Sequence, residues 1–152
     1  MQTTITVKNI NKVIASLQKL NVTILPDLQE VIKGGGQEIR TQAIKLIQSG
    51  PKSGRVYKKY NPARTHTASA PGQAPATDTG NLVRNIKVVQ KDKDIIEVRS
   101  EAKYSKDLEY GTSKMKARPF MFPAYKISKD KIMKATFNRV VKVIQGIAKW
   151  VI

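Results

Sequence analysis

The residues that could do chemistry are few and poorly placed for it. The single histidine, His66, stands near Arg64 in a stretch rich in Pro and Gly. No carboxylate or nucleophile is spaced to make it a general base. Asp78 and Thr79 precede Gly80 and read as a turn or a cap. Asp107 and Glu109 lie two apart, so on a helix they point in different directions and form no acid pair. The chain has no cysteine, which removes disulfides, thiol catalysis and thiolate-bound metals. No cluster of oxygen or imidazole ligands suits a metal. The run GGGQE at 34–38 lacks the lysine and the spacing of a phosphate-cradling loop. The expectation is a protein that is not an enzyme and uses no cofactor.

What stands out instead is charge. With 28 Lys and Arg against 11 Asp and Glu, the net charge is +17. Such a surface attracts polyanions in a salt-dependent way. The partner could be nucleic acid or an acidic protein, and a solvated basic face explains the total equally well. The cations concentrate in two places. Lys52, Arg55, Lys58, Lys59 and Arg64 occur with no acid among them and with Tyr57 and Tyr60 interleaved, a composition that can bind single strands through charge and stacking. A segment that orders against a partner subunit has the same composition. The second group is Lys114, Lys116 and Arg118 around Met115, just before Pro119, Phe120, Met121 and Phe122. Aromatic and Met side chains beside cations suit a subunit interface or a contact with DNA; Phe120 and Phe122 are expected to seal the core. No helix-turn-helix, zinc or RNP-type signature accompanies either group.

The elements that must position these residues follow from periodicity. A chain of 152 residues, 40% hydrophobic and 26% charged, fits one domain over 1–152 with a real core. Its longest apolar runs fall far short of the ~20 residues that span a bilayer, and its first residues lack a secretory pattern. Residues 3–8 alternate as a short strand, and 9–20 place Ile10, Val13, Ile14, Leu17 and Leu20 on one helical face. Pro26 opens a longer helical pattern through Leu28, Ile32, Ile39, Ala43, Leu46 and Ile47. Gly34, Gly35 and Gly36 interrupt it at a cost of roughly 3 kcal/mol relative to alanine. They mark either a break between helices or a small-residue face where another helix or subunit comes close. Residues 49–80 show no hydrophobic period and contain four prolines, so a long flexible loop is expected at about 50–80. Residues 82–90 and 95–100 read as a hairpin around a polar turn. A lone hairpin is marginal in water, so it must pack on helices or gain a strand, with 3–8 as a candidate. From Pro123 onward Met133, Phe137, Val140, Val141, Ile144, Ile147, Ala148 and Val151 form one stripe of a long amphipathic helix, expected to pack on the sheet; the alternative is a membrane surface. The fold class is α+β, a small antiparallel sheet packed against a long N-terminal helix region and a long C-terminal helix.

Several short pieces occur in a fixed order: Ser69-Ala70-Pro71-Gly72, then Thr79-Gly80 with Leu82, then Tyr104, then Leu108-Glu109-Tyr110-Gly111-Thr112, then Arg118-Pro119-Phe120. Gly111 is the residue expected where a chain leaves a helix, and Pro123 suits the first turn of the next. In combination these pieces resemble the head–tail joining, tail-completion or minor tail proteins of long-tailed phages, the gp-ten-like group. The second half of the chain matches closely and the first half in pattern. The resemblance implies a structural virion protein of a phage or prophage neck that joins the head connector to the tail, assembled in the host cytoplasm. It implies head connector or stopper proteins and tail tube or terminator proteins as partners. It also implies a homo-oligomeric ring, a hexamer being one candidate size, through which genomic DNA passes, with no membrane involved. Lys52–Arg64 and Lys114–Arg118 would then lie at interfaces or on the lumen. A basic nucleic-acid-binding protein is the alternative.

Overall fold

The computed structural model describes residues 25–148 of the chain. The strand expected at 3–8 and the helix expected at 9–20 lie outside them. Helix α1 (Leu25–Ser49) leads to a hairpin of β1 (Val56–Tyr60) and β2 (Ala63–Thr67). A short helix α2 (Asn81–Arg84) then feeds a second hairpin, β3 (Ile86–Asp92) and β4 (Ile95–Ser100). Helix α3 (Ser105–Tyr110) and the long α4 (Met121–Ala148) complete the order. Each hairpin is its own two-stranded antiparallel sheet, and the α+β class holds.

Helix α1 runs unbroken through its three glycines, and their neighbours explain why glycine is there. A Cβ at Gly35 would lie 3.1 Å from Ile132 of α4. A Cβ at Gly36 would lie 2.6 Å from Ile96 and 3.0 Å from Val88, both in the second hairpin. Gly34 faces open space. The triplet is therefore a small-residue face and not a break. Residues 35 and 36 sit ~100° apart around the helix, so α1 is the middle layer, with α4 on one side and β3–β4 on the next. The ion pairs Lys131–Glu38 at 3.1 Å and Arg139–Glu30 at 3.7 Å fix the direction. One number rises as the other falls, so α1 and α4 are antiparallel. Hydrogen bonds from Gln42 and then from Lys131 hold the Glu38 carboxyl below its usual range.

The core joins all these layers. Ile39, Ala43 and Ile47 of α1 meet Leu82, Ile86, Val98 and Ala102, with Phe120, Met121 and Ala124 at the start of α4. Along the second hairpin the register runs from Ile86 opposite Ser100 through Val88 opposite Val98, with an irregularity between Gln90 and Asp92. Arg40 Nε donates to the Ile86 carbonyl at 2.9 Å, fastening the strand's start to α1.

Three expectations change. The strand expected from residue 82 begins only at Ile86, because Gly80 at φ 74° turns the chain into α2. Arg84 N–H donates to the Gly80 carbonyl at 3.0 Å, so Leu82 enters the core from a helical turn. The loop expected at 50–80 contains the β1–β2 hairpin, which pairs Val56 with Thr67 through Tyr60 with Ala63. Gly54 N–H to Ala68 O (2.8 Å) and Ala68 N–H to Arg55 O (3.0 Å) extend its ladder. Both its faces are largely polar, which is why it has no alternating hydrophobic signal. Finally, the stripe on α4 does not pack on the sheet. Helix α4 buries Ala124 and Ser128 and turns Ile132 toward α1. Met133 and Phe137 lie on another side, 58% and 67% exposed, and Phe122, expected in the core, is 56% exposed. Four-residue steps from Ala124 to Ser128 to Ile132 trace the buried row; the apolar stripe is offset from it by more than a residue's ~100°.

The glycine layer separates two otherwise similar substitutions. Gly34→Ala should raise unfolding stability by ~1 kcal/mol through helix propensity alone. Gly36→Ala should lower it by about 1–3 kcal/mol, because the branched side chains of Ile96 and Val88 must move. Urea unfolding of the two variants checks this.

Candidate interaction site

The site is built outward from one carboxylate. Helix α3 is only six residues long, and it turns Leu108 toward the core and buries Glu109. Glu109 Oε2 accepts the N–H groups of Phe120 at 2.9 Å and Met121 at 3.0 Å, and Oε1 accepts that of Phe122 at 2.9 Å. A helix start has N–H groups with no internal partner and carries the positive end of the helix dipole, so a carboxylate there is doubly favoured. Glu109 is thus the cap of α4, supplied from eleven to thirteen residues upstream.

The chain between cap and helix is folded tightly back. Gly111 holds φ 77°, and a Cβ there would come within 2.7 Å of the Met115 carbonyl and 2.8 Å of the Ala117 nitrogen. Thr112 N–H donates to Met115 O at 2.7 Å, and the Thr112 hydroxyl accepts from the amides of Lys114 and Met115. Lys114 and Lys116 are consequently exposed on the loop while Met115 is half-buried. Arg118 N–H donates to Leu108 O at 2.6 Å, which returns the chain to α3 before Pro119 and Phe120. Gly72, at φ 82°, donates its N–H to Ala117 O at 2.9 Å and binds the Ser69–Gly72 piece to the same loop.

These ties converge on a cleft of about 250 Å³. Ser69, Thr79, Gly80, Leu82, Tyr104, Leu108 and Arg118 all line it, so pieces scattered over fifty residues of sequence meet at one place. Asn81 Nδ2 donates to the Tyr104 hydroxyl at 3.2 Å across its rim. Gly72, Glu109, Gly111, Pro119 and Phe120 form the frame around it.

The basic hairpin β1–β2 adjoins the cleft. Lys59 faces Arg64 across the strands, a like-charge pair that is destabilising by itself. Asp78 resolves it by pairing with both, with Arg64 Nε at 3.0 Å from Oδ1. His66 Nδ1 lies 3.9 Å from the same oxygen. The hydrogen bond from Lys59, then that from Arg64, pulls the Asp78 carboxyl down to about 2. Asp78 therefore clamps the hairpin to the cleft, a role that a turn or a cap does not describe. The remaining candidates point outward. Arg55 lies over the Tyr57 ring at 5.5 Å, Tyr60 is 87% exposed, and Lys52 and Lys58 are exposed. Of the second basic group only Arg118 reaches the cleft; Lys114 and Lys116 do not line it.

Among the described residues no group of three or more His, Cys, Asp or Glu could hold a metal ion. No described helix is long and apolar enough to cross a membrane. The arrangement is that of an α+β fold with a capped helix as frame, a cleft and a basic hairpin. A family model described as "Bacteriophage HK97-gp10, putative tail-component" matches residues 11–111, about two thirds of the chain, and the chain belongs to this family. It is by that membership a structural component of the phage tail. No curated protein and no solved structure matches the chain.

The Asp78 clamp has a defined pH dependence. Its folded value is depressed below the ordinary 3.8, so its contribution is complete above that value and disappears as pH falls through about 2. Hairpin amide shifts recorded by NMR should show an acid transition centred near the folded Asp78 value of about 2. In Asp78→Asn that acid transition should be absent.

Proposed function

We propose that this tail component works as a joint at the phage neck, between the head connector and the tail, and assembles there as a ring of its own copies around the DNA channel. The observation that carries this reading is the exposed surface of α4. Phe122, Met133, Phe137 and Ile144 recur along one side of a 28-residue helix and are about half exposed or more. Large apolar side chains exposed along one side of a helix mark an interface with protein. Head-to-tail contacts between copies close into a ring when the rotation per copy allows it. In such a ring the basic hairpin and the Lys114–Arg118 loop supply charge toward the channel or toward an acidic neighbour.

A nucleic-acid-binding role draws on the hairpin, where Tyr60 is free to stack. Tyr57 already carries Arg55 on its ring, which leaves one open aromatic face. Single-strand binding by stacking uses successive platforms, so weak, sequence-blind contact with passing DNA fits better than a dedicated binding module.

Quantitative mass spectrometry of purified particles tests the proposal. A small, fixed copy number per tailed particle is expected. Abundance in the lysate with absence from particles would overturn it.

A further inference from the structure

The cleft contains polar atoms that none of the described residues satisfies. Ser69 is completely buried, and its hydroxyl has no hydrogen-bond partner. Arg118 Nε is likewise buried and unpartnered, and among the described residues the Arg118 side chain makes no ion pair. Leaving such a group unmet is costly, and more so when it is charged. Asp78, the carboxylate that lines the same cleft, is already taken up by Lys59 and Arg64. Arg118 is thus a cation waiting for an anion, in the lining of a cleft whose walls include Pro75, Leu82 and Leu108.

We propose that this cleft receives the side-chain carboxylate of a glutamate or aspartate from a neighbouring virion protein, with Arg118 as its fork-shaped donor and Ser69 as a second donor. A planar guanidinium matches a carboxylate through two parallel N–H···O bonds. The apolar walls suit the methylenes that carry such a group. A phosphodiester is flanked by sugars on both sides and presents no free end to a cleft of about 250 Å³. The chain itself is short of acids, 11 against 28 cations, so charge complementarity points to an acidic partner segment. That the partner is a virion protein rests on the proposed role in the neck; the anion chemistry of the cleft does not.

NMR titration of the isolated full chain, at physiological salt, separates the two. The probe is N-acetyl-glutamate α-amide, which carries a single side-chain carboxylate. Its controls are N-acetyl-glutamine α-amide, inorganic phosphate and a short DNA duplex. The Arg118 Nε–H resonance, assigned by its loss in Arg118→Lys, should shift saturably with the glutamate probe, together with the Ser69 and Leu82 amides. The glutamine isostere should bind at least about tenfold more weakly. Arg118→Lys, which keeps the backbone bond to Leu108 and the positive charge, should weaken the glutamate probe by about tenfold with an unchanged melting temperature. Ser69→Ala should weaken it less. Equal response to the glutamine isostere would overturn the proposal, as would unchanged binding by Arg118→Lys or no shift at all. Stronger shifts of the same resonances with phosphate or DNA would instead make the cleft a phosphate site. None of these results bears on copy number in particles, so the two proposals fail separately.

Discussion

The structure depends on Glu109 standing against the first amides of α4. A carboxylate so nearly buried would be costly in an apolar surrounding. Three N–H donors and the positive end of a 28-residue helix turn it into a favourable contact. Charge-assisted bonds of this kind are about twice as strong as neutral ones. The cap also decides geometry. By fixing where α4 starts it sets Phe120 and Met121 in the core and leaves Phe122 outside. It closes the loop that returns Arg118 to Leu108, and so shapes one wall of the cleft. Gly111 is required by the same closure, since backbone atoms occupy the space its side chain would need.

A second constraint acts on the other side of the core. Helix α1 must touch α4 and the β3–β4 hairpin on adjacent faces; a side chain at 36 would overlap Ile96, and one at 35 would crowd Ile132. The helix gives up propensity there and regains it through packing against Ile132, Ile96 and Val88. Gly34 carries the same propensity cost with no neighbour in return, and the structure offers no packing reason for it.

Much of this was legible in the sequence, for identifiable reasons. The long helices and the 95–100 strand carry strong periodic signals. The short ordered pieces between Ser69 and Phe120 name most of the residues that later meet in the cleft and its frame. The legibility failed where a role depends on a partner far along the chain. Glu109 looked like an unpaired acid beside Asp107, and its donors lie eleven or more residues onward. Asp78 looked like a turn residue, because the cross-strand pair it neutralises belongs to a hairpin with no hydrophobic alternation to betray it. Ser69 gave no signal of burial. The outward stripe of α4 misled in a different way: amphipathic period shows that a helix has an apolar side, and not which partner covers it. Here α1 takes a face centred on Ala124, Ser128 and Ile132, made partly of small and polar residues that the periodicity discounts.

Native-state hydrogen exchange at three amides tests the organising role of Glu109 most directly. First-turn amides of a helix normally exchange fast, having no intrahelical acceptor. If the carboxylate holds them as described, Phe120, Met121 and Phe122 should exchange as slowly as the core amides around Ala43 in α1. Exchange of these three at the rate of an open, frayed helix start would contradict the account, because the contact that positions α4 and the cleft would then not be held.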